Sequence, residues 1–104
     1  MVLYGTSDNF SILNKIADSL KNNTTASNNT ACGYAALNAN VTGNDNTAVG
    51  KEALKLNTGG SNTAVGNECL ESNTTGTRNT AVGALAADAS ATANDVTAIG
   101  YLAL

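Results

Sequence analysis

The stretch NTAVGNECLESNTTGTRNTAVG, Asn62 to Gly83, contains two copies of an eight-residue motif and the connector between them. The motif opens on Thr-Ala-Val-Gly or a close variant and occurs five times, and successive copies start 16 or 17 residues apart. The five copies are TACGYAAL (30–37), TAVGKEAL (47–54), TAVGNECL (63–70), TAVGALAA (80–87) and TAIGYLAL (97–104). A fixed period of this length is typical of a solenoid, in which every repeat forms one coil that stacks on its neighbours.

The length of the period constrains the shape of a coil. Seventeen residues are too few for a helical hairpin and too many for one strand with a tight turn. We therefore predict an all-β fold, a repeat solenoid or β-roll with 16–17-residue coils, each with two strands of about five residues and a turn at both ends. One spacing is a residue shorter than the others, between Leu54 and Thr58. We place the missing residue within 55–57, where a connector turn can absorb it.

The alternation of side chains along a strand predicts which positions share a face. Thr and Val of the motif lie on one face, and Ala and Gly lie on the other. We expect the Val column to line the coil interior together with a Leu column at the end of the motif. The predicted core ladder is Cys32, Val49, Val65, Val82, Ile99, Leu37, Leu54, Leu70 and Leu104. Cys32 and Cys69 have no CxxC or histidine partner, so we interpret both as small buried hydrophobic residues.

Coils this thin bury little apolar surface, and they persist by stacking on one another. Their end coils therefore need to be covered. The smooth face of Ala and Gly is suited to close contact with a sister chain. We predict from these two features that the protein associates with itself as a homotrimer.

Three further columns indicate how the coils pack. Glycine occupies the fourth motif position in every copy: Gly33, Gly50, Gly66, Gly83 and Gly100. We expect either a positive φ there or a backbone too close for a Cβ. A laxer glycine column in the connector contains Ala26 and Ala93, and we interpret it as a turn without a steric requirement. The residue before the motif is Asn in four copies, and we predict that these side chains form a hydrogen-bonded ladder with Thr from coil to coil.

The N-terminal part of the chain departs from the repeat. We divide the chain into a segment at 1–22 and a β-roll repeat domain at 23–104, of about five coils. Within the first segment Phe10, Leu13, Ile16 and Leu20 recur at three- and four-residue spacing, which predicts one short amphipathic helix. Two interpretations stay open for this helix. It is either a cap packed on the first coil or a docking element, formed by three sister chains or attached to a larger particle.

Composition excludes several functional classes. The net charge of −3 and the pI near 4.5 argue against nucleic-acid binding, which needs a basic surface. The absence of His removes the commonest general base and the commonest metal ligand. The eight carboxylates are scattered and none recurs beside a nucleophile. We therefore expect no enzyme activity, catalytic residue, cofactor or metal. Because the apolar runs are short, we also expect no membrane insertion and no secretory signal.

The segment from Leu20 to Leu104 resembles the NTAxGxxAL…NTTG repeats of tail-fibre-like proteins of bacteriophages. It is similar, more distantly, to the SVAIG head repeats of trimeric autotransporter adhesins. The resemblance implies a homotrimeric β-roll in an elongated virion appendage, made in the host cytoplasm and used for attachment or as a spacer. The implied partners are portal, neck, tail or capsid proteins, with a host surface glycan as a further candidate. We expect the protein to differ from larger members in lacking their C-terminal chaperone or receptor-binding domain, which favours a short fibre, spike or decoration.

A second function class follows from the threonines. Regular columns of Thr can match a repeating ligand, such as ice or a carbohydrate surface. Ice-binding arrays generally present two outward Thr on each strand, whereas this strand offers Thr-Ala-Val. Outward Thr columns would favour this alternative, and inward Thr columns would exclude it.

Overall fold

The computed structural model describes residues 18–104. This part of the chain is a parallel β-solenoid with a single five-stranded sheet, in which each strand pairs with the next along the chain. The strands are β1 (Thr30–Cys32), β2 (Thr47–Val49), β3 (Thr63–Val65), β4 (Thr80–Val82) and β5 (Thr97–Ile99). The register places like on like at every step, Thr beside Thr and Ala beside Ala. The repeat solenoid predicted from the period is therefore confirmed.

Each coil has one strand of three residues, so the prediction of two five-residue strands is wrong. The other side of the coil is a ribbon of turns with alternating hydrogen bonds. The Ala36 amide donates to the Gly33 carbonyl within its own coil, at 3.2 Å, whereas the next amide, of Leu37, donates to the Ala53 carbonyl of the following coil, at 3.0 Å. Leu37 needs a left-handed backbone for this alternation, with a φ of 51°. Extended backbone cannot place alternate amides in this way, which is why no second strand forms.

The interior of each coil is lined by alanine and leucine. The middle residue of the strand points inward, and the last two residues of the motif pack against it from the ribbon side. Ala48, Ala64 and Ala81 are fully buried. The predicted core residues Leu37, Leu54 and Leu70 are fully buried as well. The core cluster comprises Ala36, Leu37, Ala48, Ala53, Leu54, Ala64, Cys69, Leu70, Ala81, Ala86, Ala87 and Ala98.

The Val column lies outside the coil, which corrects the predicted core ladder. The three strand valines expose 37–39% of their surface and Ile99 exposes 63%. Cys32, at the same position of β1, is also exposed. Leu104, the last member of the predicted ladder, is 76% exposed because no coil of the described chain covers it. The residues reassigned to the surface are Cys32, Val49, Val65, Val82, Ile99 and Leu104.

The residue before each strand explains why the Val column lies outside the coil and the Ala column inside it. Asn46 is fully buried at the corner of the coil, where its side chain bonds to backbone groups. Because side chains alternate along a strand, an inward Asn46 turns Thr47 and Val49 outward and Ala48 inward. This orientation also buries the Ala residues of the supposed Ala and Gly face inside their own coil. That face therefore cannot supply the contact between sister chains that was predicted for it.

The N-terminal predictions fall mostly on residues 1–17, outside the described part of the chain. This applies to the helix, to Phe10, Leu13 and Ile16, and to the choice between cap and docking element. Leu20 is described and packs against the core, with its amide donating to the Ala36 carbonyl at 3.0 Å. Its φ of 52° matches that of Leu37, so the turn ribbon of the first coil already includes this residue.

Candidate binding surface

A ladder of asparagines at the coil corner connects every coil to the next. The side-chain oxygen of Asn29 accepts the Asn46 amide, and the pattern continues through Asn62 and Asn79 to the Val96 amide, each at 2.9 Å. The ladder predicted from the sequence is present, but its partners are backbone groups and other asparagines rather than Thr side chains.

A second asparagine column, which sequence reasoning missed, runs beside the first. Its members follow the Leu column by three residues: Asn23, Asn40, Asn57 and Asn73. The amide nitrogen of Asn57 donates to the Asn40 oxygen at 3.2 Å, and that of Asn73 donates to the Asn57 oxygen at 2.6 Å. Its constant offset was the signal that could have identified it.

The second asparagine column also shows where the shorter repeat lacks a residue. Asn57 keeps its place in the ladder, so residues 55–57 are complete. Thr58 donates its hydroxyl to the Thr74 carbonyl of the next coil, just as Thr25 donates to the Val41 carbonyl. Thr74, which directly follows Asn73, donates its hydroxyl to the Ala91 carbonyl in the same way. The missing residue is therefore one of the two that follow the second asparagine column in the other coils, and the placement within 55–57 is wrong.

The buried polar side chains have all their hydrogen-bond partners within the solenoid. Six asparagines have no exposed surface: Asn40, Asn46, Asn57, Asn62, Asn73 and Asn79. Among the described residues, every buried side-chain nitrogen and oxygen has a hydrogen-bond partner. Their hydrogen bonds hold coils together, and these groups are shielded from any ligand.

The motif glycines meet both conditions predicted for them. Gly33 has a φ of 137°, and a Cβ on it would lie 2.5 Å from the carbonyl carbon of Gly50 in the next coil. The same holds along the column up to Gly100, which keeps a φ of 121° but has no atom of a following coil within 4 Å. In the connector, a Cβ on Gly43 would overlap the Gly59 carbonyl oxygen, so the interpretation of that column as a simple turn is wrong at this position.

The charged side chains of two coils form one surface network. Lys51 lies 3.3 Å from Glu52 and 3.7 Å from Glu68, while Lys55 lies 3.3 Å from Glu52 and 3.9 Å from Glu71. Partial burial opposes ionisation of Glu52, but hydrogen bonds from both lysines outweigh it and lower the pKa of that carboxyl. The described residues contain no group of three side chains able to hold a metal ion.

A separate ion pair joins the last two coils. Arg78 donates two hydrogen bonds to Asp95, from Nε at 2.6 Å and from a terminal nitrogen at 2.9 Å. These bonds lower the pKa of the Asp95 carboxyl and raise the pKa of the Arg78 guanidinium.

Cys69 is buried as predicted, and burial raises the pKa of its thiol, so it is a poor nucleophile.

The outward side of the sheet is the candidate binding surface, and we call it the sheet face. It consists of one Thr column and one apolar column: Thr30, Thr47, Thr63, Thr80, Thr97, Cys32, Val49, Val65, Val82 and Ile99. No strand residue carries a charge. Within the described residues the hydroxyls of Thr47, Thr63 and Thr80 donate no hydrogen bond. Four connector threonines do donate to the next coil: Thr25, Thr58, Thr74 and Thr77. The sheet face is thus a repeating array of free hydroxyls and exposed methyl groups.

The described part of the chain has no pocket. It also contains no helix of the length and hydrophobicity needed to cross a membrane. The fold and its ladders define the protein as a parallel β-solenoid with Asn and Thr ladders. Comparison with protein-family models, with curated proteins and with solved structures finds no match for this chain.

Proposed function

We propose that this chain is a non-enzymatic structural protein of a bacteriophage particle, a homotrimeric short fibre, spike or capsid decoration. The observation that carries the proposal is the division of the solenoid into a self-satisfied interior and one uncharged, partly apolar face. A chain built in this way has one surface suited to association. The motif resemblance to tail-fibre-like repeats supports the viral setting.

Self-association is assigned to the sheet face rather than to the Ala and Gly face. Val49, Val65 and Val82 each keep more than a third of their surface exposed. Covering a column of apolar side chains contributes about 25 cal/mol per Å², and the repeat adds the same gain at every coil. The charged side chains of the described residues all lie outside the strands, in the connectors and the turn ribbon, which also expose Tyr34, Leu56, Tyr101 and Leu102.

The N-terminal segment supplies the docking element in this proposal. Phe10, Leu13 and Ile16 would attach the chain to a portal, neck, tail or capsid protein, and a host surface glycan is the candidate distal partner. Leu20, the fourth residue predicted for docking, packs against the core of the first coil instead. We place the protein in the virion after synthesis in the host cytoplasm.

Light scattering coupled to size-exclusion chromatography tests the association. The full chain is expected to elute at three times its monomer mass, and the double variant Val65→Lys, Val82→Lys is expected to elute as a monomer with unchanged circular dichroism. Val41→Lys is the matched control, because Val41 is 40% exposed but lies in a connector. A monomeric wild-type chain at high concentration would contradict the proposal.

A second candidate function is binding to ice or to a carbohydrate surface. It is favoured by one specific observation, the outward orientation of the strand threonines. Thermal hysteresis of the wild-type chain, lost in Thr63→Lys, Thr80→Lys and kept in the connector control Thr42→Lys, would support this candidate. A trimer without thermal hysteresis or glycan binding would exclude it, since the sheet face would then be covered by sister chains.

A further inference from the structure

Three columns bind each coil to the one that follows it: the corner asparagines, the second asparagine column and the connector glycines. All three change residue type in the fifth coil, which comprises residues 88–104. We call the side of a coil on which the following coil stacks its forward edge. The replacements are Val96 for the corner asparagine, Ser90 for the second asparagine and Ala93 for the connector glycine. Each of them alters the forward edge of the fifth coil.

The corner asparagine makes two hydrogen bonds to the following coil. Oδ1 of Asn79 accepts the Val96 amide at 2.9 Å, and Nδ2 of Asn79 donates to the Ala93 carbonyl at 2.7 Å. Asn62 makes the same two bonds, to the Asn79 amide and to the Gly76 carbonyl. Val96 can make neither bond, because its side chain has no polar atom. A coil stacked on the fifth one would therefore bury an amide and a carbonyl that lack partners.

The connector position closes the forward edge sterically. A Cβ on Gly76 would overlap the carbonyl oxygen of Ala93 in the next coil. Ala93 carries a Cβ at the equivalent place, where a carbonyl oxygen of a further coil would lie. The first coil also has an alanine there, Ala26, but it keeps its corner asparagine, and Asn29 donates to the Gly43 carbonyl at 2.8 Å. Alanine is thus tolerated in this column where the corner bonds are made, and the fifth coil has lost those bonds as well.

The second asparagine column ends in the same coil. Asn40, Asn57 and Asn73 each donate to the column member of the preceding coil. The side-chain oxygen of Ser90 lies one bond closer to its own backbone than the oxygen of an asparagine does. The acceptor that a further coil would need is therefore displaced.

The strand of the fifth coil keeps backbone groups that could pair with another strand. The Thr80 amide of β4 donates to the Val96 carbonyl at 2.8 Å, and Thr97 presents the equivalent amide at the forward edge of β5. An exposed strand edge is a template for the addition of another chain, and natural β proteins carry residues that oppose this addition. The three replacements act at the corner and the connector, beside that edge.

We propose that the fifth coil is a stop coil, whose forward edge rejects a further coil of this repeat, whether that coil belongs to the same chain or to a second copy. The residues that carry this role are Ser90, Ala93 and Val96. A stop coil limits growth along the solenoid axis and leaves its sides open to partners. The inference does not depend on the proposed function, because it concerns the forward edge and not the sheet face.

Extension of the full chain by one coil tests the proposal. A second copy of residues 71–87 is added after Leu104, which keeps the register because residue 71 also follows a member of the Leu column. Hydrogen exchange followed by mass spectrometry reports whether the added coil is ordered. With an unchanged fifth coil, we expect the added residues to exchange as fast as an unfolded peptide while residues 38–87 stay protected.

Restoring the three column residues is expected to order the added coil. In the extended chain with Ser90→Asn, Ala93→Gly and Val96→Asn, exchange in the added residues should slow at least tenfold. The matched control carries Ala89→Asn, Ala91→Gly and Thr92→Asn, at exposed positions of the same connector, and should leave the added coil unprotected. Circular dichroism checks that each protein keeps the solenoid.

Protection of the added coil behind an unchanged fifth coil would overturn the proposal, and so would equal exchange in the restored and control proteins. A second extended chain needs no substitution. In it the same seventeen residues are inserted after Ala87, where they meet the unchanged fourth coil, and we expect them to be protected. Lack of protection there would also overturn the proposal, because the three columns would then not decide whether a coil stacks. Light scattering tests the proposed trimer separately.

Discussion

Asn57 makes four side-chain hydrogen bonds inside the solenoid. Its nitrogen donates to Asn40 and to the Gly59 carbonyl, and its oxygen accepts from Asn62 and Asn73. A buried amide of this kind is tolerated only because all of its bonding capacity is used. Single residues therefore connect three successive coils.

Asn57→Ala is expected to lower the free energy of unfolding by about 2–4 kcal/mol, because it leaves buried groups unpaired and opens a cavity. Urea unfolding followed by circular dichroism measures the change. Asn67→Ala is the control, since Asn67 is exposed, and its effect should stay within about 0.5 kcal/mol. Equal effects of the two substitutions would show that the ladder contributes no stability.

At the scale of the strand, two adjacent positions have opposite surroundings. In β3, Ala64 is fully buried and Val65 is 37% exposed. The neighbouring strands β2 and β4 repeat this arrangement, so the interior admits only a methyl group at this position of each coil. The turn ribbon is equally constrained, because alternate residues adopt a left-handed backbone.

Ala64→Val is expected to cost about 1–3 kcal/mol, because two extra methyl groups must enter a filled interior. Val65→Thr should change the stability of the unassociated chain by less than about 0.5 kcal/mol. Unfolding midpoints below the association concentration measure both. A larger loss of stability from Val65→Thr than from Ala64→Val would contradict the assignment of the Ala column to the core and of the Val column to the surface.

The Arg78–Asp95 pair predicts a pH dependence for the contact between the last two coils. The pKa of Asp95 is lower in the folded chain than the value of about 3.9 for an unfolded Asp. Its contribution to stability is therefore present above that unfolded value and is lost as the pH falls through the folded pKa. The effect is small because both side chains are more than half exposed.

Asp95→Asn is expected to lower the urea midpoint slightly near pH 7, and the effect is expected to shrink as the pH falls towards 2 and the wild-type carboxyl becomes protonated. High salt should reduce the difference near pH 7. A difference that persists near pH 2 would mean that the substitution acts through something other than charge.

At the scale of the molecule, residues 18–104 form a stack in which each strand contacts mainly the strands of the neighbouring coils. Stability in such an array is the sum of similar terms from coils and from the interfaces between them. The like-on-like register along the sheet indicates that one coil can replace another.

Deletion of residues 63–79, one complete coil, is expected to leave a folded solenoid with a lower unfolding midpoint, because Asn62 then precedes the intact motif at Thr80. The circular dichroism per residue should stay the same. Deletion of residues 63–70 removes the motif but keeps its connector, and it is expected to prevent folding. If both deletions fold, the register between columns does not determine the structure.

Much of this fold was predictable from repetition alone. The period predicts stacked coils, and identical motifs predict parallel pairing of Thr with Thr and Val with Val. The motif glycines predict close backbone approach, which occurs at Gly33. The ribbon of turns was not predictable, because left-handed backbone at residues such as Leu37 runs against local preference and is stabilised only by bonds to the next coil.

The sequence by itself determined the period, the register and the existence of two faces on each strand. Only the tertiary structure decided which face is inside. Hydrophobicity favours an inward Val column, but a buried Asn46 has to satisfy its amide within the stack, and alternation then directs Ala48 inward and Val49 outward. A strand turned over would leave the Gly59 carbonyl and the Asn62 amide without the Asn46 side chain that bonds to them. Losing the partner of a buried polar group costs more than partly exposing a valine, and this difference favours the observed orientation.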